Sequence, residues 1–153
     1  MNYKALCYTL YIMLKQFKES PFLIFSLMFY VASLFSPAST DPHGFIGLQI
    51  LFLGWIGLLT ADFAWLANIF IVISFTLNLN KAFRPALFLS LLACLVALQS
   101  FSGVPVSYSN GTTAPGLAFY LWEASFIFLS IYSLRQILLQ KTTPASSFRT
   151  KVK

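Results

Sequence analysis

GFIGLQILFLGWIGLLTADFAWLANIFIVISFTLNLN, residues Gly44 to Asn80, is the stretch on which the fold turns. As one straight helix it would measure roughly 54 Å at about 1.5 Å per residue, against a hydrocarbon core of about 30 Å. That length is excessive for one crossing and uncomfortable for two. The segment also carries Asp62, one of two acidic side chains set inside apolar runs, together with Trp55, Trp65, Asn68 and a series of glycines.

Around it the composition fixes the class. The chain has 153 residues, 58% hydrophobic and 9% charged, with a mean hydropathy of +0.78. An ordinary soluble domain carries about a quarter charged residues, so a chain of this size has no way to hide so much apolar surface in water. Further apolar runs begin near Pro21, Pro85 and Gly116, leaving no room for a separate soluble domain. Continuous runs exclude a transmembrane β-barrel, whose strands alternate apolar with polar. The expected fold is therefore an all-α membrane protein.

Charge decides the topology. Lys81 and Arg84 close the long stretch, and Arg135, Lys141, Arg149, Lys151 and Lys153 follow the last run. The loops Ser36–Gly44 and Gly103–Pro115 contain no Lys or Arg. If Gly44–Asn80 crosses once, every basic residue is cytoplasmic; if it crosses twice, Lys81, Arg84 and the basic tail go outside. The positive-inside rule favours one crossing, and with it four transmembrane helices and both termini in the cytoplasm. The surplus length becomes an extra interfacial or re-entrant helix before the second span; a single long bent helix is the rival. The expected spans are about 21–37, 60–80, 85–102 and 116–135, with interfacial helices at about 3–18 and 45–59. Together they form one polytopic membrane domain, 1–140, followed by a disordered basic cytoplasmic tail, 141–153. Segment 3–18 sets Lys4, Tyr8, Tyr11, Lys15 and Lys18 on one helical face and Leu6, Leu10, Met13 and Phe17 on another, which suits a helix lying in the membrane surface. An early start to the first span is the alternative.

The net charge of +6 does not point to nucleic acid, because the basic residues are scattered between apolar runs; anionic lipid headgroups are the expected partner. Cys7 and Cys94 form neither a disulfide framework nor a metal-ligand spacing, and Cys94 reads as core packing. One histidine, no His-Glu-x-x-His, no Gly-x-Ser-x-Gly and no phosphate loop leave no catalytic constellation, no metal site and no cofactor to assign.

The polar residues that remain converge in depth. With four spans, Asp62, Glu123 and Gln99 all approach the outer ends of their helices, and His43 lies in the external loop. A polar cluster is expected in the outer leaflet, centred on Asp62 and Glu123 with Gln99, His43, Asn68 and Tyr120 around them. An ionisable group in an apolar run costs several kcal/mol at the bilayer centre and seeks a partner or water. Asp62 has three readings: a cap for the second span, a member of a buried hydrogen-bond network, or part of a proton, cation or ligand site. Trp55, Trp65 and Trp122 read as an outer aromatic belt. Gly47, Gly54, Gly57 and Ala61 supply a small face for close helix packing. Asn110-Gly111-Thr112 reads as a turn.

Trp65-Leu66-Ala67-Asn68, ahead of a run closed by Lys81, and Gly116 with Tyr120-Leu121-Trp122-Glu123-Ala124-Ser125 resemble a pattern in small uncharacterised bacterial four-helix inner-membrane proteins. The likeness covers about half the chain, and Ile69 stands where those proteins often carry proline. It implies a bacterial inner membrane and no particular activity. Three kinds of function stay open: a non-catalytic protein that packs against a membrane partner, as an accessory or assembly subunit or an immunity protein; a small oligomeric transporter or proton or cation conduit using Asp62 and Glu123; and an intramembrane enzyme with Glu123 and His43 as acid and base. The first is the expected one, with a partner protein or a second copy of the chain.

Overall fold

The structure, a computed structural model, describes residues 20–40, 44–60, 63–102, 104–105 and 112–142. Apart from one two-residue antiparallel pair it is helical. The helices are α1 (Pro21–Phe35), α2 (Gly47–Leu53), which runs on into a 3-10 segment Gly54–Thr60, α3 (Leu66–Leu79), α4 (Phe83–Ala97), extended by a 3-10 segment Leu98–Ser102, and α5 (Leu117–Thr142). Two stretches, Phe83–Ser100 and Leu117–Lys141, are long and apolar enough to cross a membrane, while Pro21–Phe35, Gly47–Leu59 and Leu66–Leu79 are apolar but shorter.

The long central stretch is broken, not bent. Residues Phe63 to Trp65 are not helical, and α3 starts at Leu66, with Trp65 in the N-cap position. The expected span 60–80 is thus trimmed at its start, and the expected helix 45–59 changes from α to 3-10 winding at Gly54. Two side chains stabilise the break. Gln99 Oε1 accepts from the Phe63 N–H at 2.9 Å, and the Trp65 indole donates to the Leu51 carbonyl at 2.8 Å. The indole bond folds the end of the break back onto α2.

Proline opens and closes α1. Pro21 occupies the first turn, where its missing N–H costs nothing, and Ser36-Pro37 ends the helix. Ser20 takes the N-cap position with extended backbone, but its hydroxyl makes no capping bond. At the other end of the chain α5 continues to Thr142, about two turns beyond the expected limit of 135. Arg135 to Lys141 are strong helix formers with no glycine or proline among them, so nothing stops propagation. The surface helix expected at 3–18 and the tail from 143 to 153 lie outside the described residues.

Antiparallel neighbours form the bundle: α5 packs between α1 and α4, and α4 packs against α3. Helices α1 and α3 barely meet. At one end, residues 36–40 run extended between two other segments. Ala38 donates to Phe45 O (2.8 Å) and Gly47 to Ser36 O (3.0 Å) on one side, while Gly116 donates to Ala38 O (2.9 Å) and Ala118 to Pro37 O (2.9 Å) on the other. Close approach there requires glycine. A Cβ on Gly116 would lie 2.5 Å from Pro37 O and 2.7 Å from Ser39 N, and one on Gly47 would enter the Ser33 carbonyl of α1.

Every described Lys and Arg sits at the opposite end. The α3 terminus is closed by Lys81, in the left-handed region at φ 60, with Ala82 donating to Leu77 O (2.9 Å) and Lys81 to Asn78 O (3.0 Å). This is the Schellman arrangement, with lysine where glycine is usual. Phe83 then packs edge-on against Tyr132 of α5 at 6.2 Å, and one turn further along α5 Arg135 lies over the Phe22 ring of α1. The stretch 44–80 therefore starts at the loop end of the bundle and finishes at its basic end.

Candidate functional site

The interior is built from small and polar residues. On α4, Ala86, Ser90, Ala93 and Ala97 recur at helical spacing, and all are fully buried. Ser74 and Asn78 of α3 and Ser125, Ser130 and Ser133 of α5 are buried too. Short side chains let the helix backbones approach, and their hydroxyls then bond across the gap. Ser74 donates to the Ala86 carbonyl at 2.7 Å, Ser133 donates to Asn78 Oδ1 at 2.9 Å, and the Ser130 and Ser90 hydroxyls lie 2.8 Å apart.

Toward the loop end this seam becomes a hub on Asn68. Its Oδ1 accepts from the Trp122 indole at 2.9 Å and from the Tyr30 hydroxyl at 3.1 Å, and its Nδ2 donates to the Trp65 carbonyl at 3.2 Å. One amide thereby ties α1, α3 and α5 together, and it spans the α1–α3 seam that packing leaves nearly open. Trp122 is further held by Phe126 at 4.9 Å and Phe119 at 6.2 Å.

Beside the hub, Glu123 turns toward α4. The Cys94 thiol lies within hydrogen-bonding reach of both the Glu123 carboxyl and the Ser130 hydroxyl. The second carboxyl oxygen, Oε2, is sealed from solvent and has no hydrogen-bond partner. Such a group has one acceptor in use and one unserved, a costly arrangement away from water. Chemically it can take up a proton or accept from a donor outside the chain. Among the described residues there is no group of three or more His, Cys, Asp or Glu that could hold a metal ion.

Four of the six residues expected to cluster, Asn68, Gln99, Tyr120 and Glu123, are described. Asn68 and Glu123 lie at neighbouring positions through Trp122, but their partners are Tyr30, Trp65, Trp122 and Cys94. Gln99 is exposed and serves the Phe63 backbone; Tyr120 is 54% exposed and meets the Phe119 ring edge-on at 5.6 Å. Asp62, His43 and Ala61 lie outside the described residues. Of the packing glycines, Gly47 abuts α1 and Gly54 the Trp65 ring, and Gly57 is half-buried in the 3-10 segment. Two of the three expected belt tryptophans, Trp65 and Trp122, spend their N–H groups inside the fold, and Trp55 is half exposed.

Sequence reasoning missed Tyr30, Trp122 and Cys94 as partners. The spacing of Ala86, Ser90, Ala93 and Ala97 was the available signal, since it marks the face of α4 that turns inward and places Cys94 at its edge. Comparison with protein-family models, with curated proteins and with solved structures finds no match to the chain.

Proposed function

We propose that the chain is a multi-pass inner-membrane protein that performs no chemistry and acts by packing against a membrane partner, as an accessory or assembly subunit or an immunity-type protein. One observation carries the membrane reading. Serine and alanine dominate the buried residues, while Phe25, Met28, Phe35, Val72, Phe88 and Leu95 stand 45% or more exposed along the helices. In water that polarity would be inverted at large cost; in lipid, apolar side chains outside and small or polar ones inside are the stable arrangement.

In this reading α1, α3, α4 and α5 cross, and α2 with its 3-10 segment rests on the outer side. Both termini are cytoplasmic, beside Lys81, Arg84, Arg135 and Lys141. Helices α1 and α3, 15 and 14 residues long, reach only about 22 and 21 Å and so call for flanking residues or a thinned bilayer. The partner surface is the ridge of Phe52, Trp55, Ile56 and Leu59 on the outer segment, with Leu59 79% exposed. The resemblance to small bacterial inner-membrane proteins agrees with this placement.

Single cysteines at Thr40, Asn80, Ser109 and Ser146, in a chain with Cys7 and Cys94 replaced, test the topology. Labelling of position 80 by a reagent confined to the periplasm would overturn it. Gentle extraction followed by native mass spectrometry tests the packing role, and a lone monomer without any co-purifying protein speaks against it.

The unserved Glu123 oxygen favours a second reading, an oligomeric proton or cation conduit using Glu123 and Asp62. Flux into proteoliposomes that is unchanged in Glu123→Gln and Asp62→Asn would dispose of it.

A further inference from the structure

We propose that the groove between α1 and α5 at the basic end of the bundle binds one anionic phospholipid, its phosphate at Arg135 and an acyl chain along a strip of phenylalanines. The inference rests on the membrane reading above. Phe29 and Phe128 stack at 5.2 Å, Phe25 lies 5.7 Å from Phe128, and Phe22 lies 6.3 Å from it. Phe25 is 45% exposed and the other three rings are half-buried, so the strip is open on its outer side. From Phe22 to Phe29 is two turns of helix, about 10 Å, against about 15 Å for the hydrocarbon of one leaflet. An acyl chain laid there meets aromatic carbon over most of its depth.

A positive charge is fixed at the end of the strip. The Arg135 guanidinium stands 5.8 Å above the Phe22 ring centre, a cation–π contact that holds the exposed side chain over the groove. The N-terminus of α1 adds its own positive field at this point. Ser20 makes no side-chain capping bond there, and its hydroxyl is buried. A planar donor fork beside a helix start, at the end of an apolar strip, calls for an anion that carries a hydrocarbon tail.

The full chain, purified in mild detergent, is offered phosphatidylglycerol and phosphatidylcholine with identical acyl chains, and retained lipid is read by native mass spectrometry. Preferential retention of phosphatidylglycerol is expected. Arg135→Gln should lower it roughly fivefold, Arg135→Lys should restore part of it, and Lys141→Gln should leave it within about twofold. Phe25→Ala, at an exposed ring, should weaken retention of both lipids and leave their ratio unchanged. Equal retention of the two lipids, or an Arg135→Gln protein that holds phosphatidylglycerol as the parent does, overturns the site. Displacement of the lipid by inorganic phosphate alone also overturns it, in favour of a site for soluble anions. A chain that stays in solution without detergent and retains neither lipid would refute the membrane reading itself, a separate outcome.

Discussion

Asn68 is the residue whose removal should loosen the bundle most for the fewest atoms lost. Asn68→Ala deletes one acceptor that serves the Tyr30 hydroxyl and the Trp122 indole, at 3.1 and 2.9 Å, and one donor to the Trp65 carbonyl at 3.2 Å. Interhelical hydrogen bonds in membrane proteins average about 0.6 kcal/mol and reach about 1.7, so the two from Tyr30 and Trp122, with the local bond to Trp65 counted alike, sum to about 2 kcal/mol. Tyr30→Phe removes only a hydroxyl and should cost about 0.6 kcal/mol. Because the two changes share one bond, the double variant should fall short of additivity by the same 0.6 kcal/mol. Reversible unfolding in mixed micelles of rising SDS fraction, followed by far-ultraviolet circular dichroism, measures all four corners of the cycle. An Asn68→Ala protein within about 0.3 kcal/mol of the parent, or an additive cycle, would refute the hub.

Three further outcomes follow from backbone geometry. Gly116→Ala sets a methyl group 2.5 to 2.8 Å from three backbone atoms of Pro37 and Ser39, none of which can rotate away, and should cost about 2 to 3 kcal/mol in the same unfolding assay. Gly54→Ala clashes with the Trp65 ring, at 2.7 Å, and touches Ile50 at an ordinary 3.6 Å, so its penalty should drop by at least half once Trp65→Phe frees the ring from Leu51; an undiminished penalty would place the clash elsewhere. Lys81→Gly should raise stability by about 1 kcal/mol, since lysine at φ 60 holds a conformation that glycine adopts freely. Lys81→Ala, which loses the charge and keeps the strain, should show no such gain.

Several elements were legible because their signals are local. Ser20-Pro21 and Ser36-Pro37 bracket α1 as a proline at the first turn and one past the last turn must. The break inside residues 44–80 followed from a length that one helix in a bilayer does not tolerate, although its position at Phe63–Trp65 did not. That position depends on Gln99 and Leu51, which are distant in sequence and meet Phe63 and Trp65 only after folding. Of the candidate site, Asn68 and Glu123 stood out in the sequence because polar groups are conspicuous in apolar runs. Their partners were not, since a tyrosine, a tryptophan and a cysteine are as much at home in a belt or a core as in a hydrogen bond.

The amino-acid sequence alone determined which stretches avoid water, where proline and charge interrupt them, and that the basic residues flank some apolar runs and spare the loops between others. Only the tertiary structure decided that Asn68 joins Tyr30 to Trp122, that Cys94 faces Glu123, and that Arg135 overlies Phe22. The reason is rotational. A helix that is apolar all round does not announce which side it buries, so the facing pairs are set by the angle and register at which its neighbours pack, and no single helix encodes these.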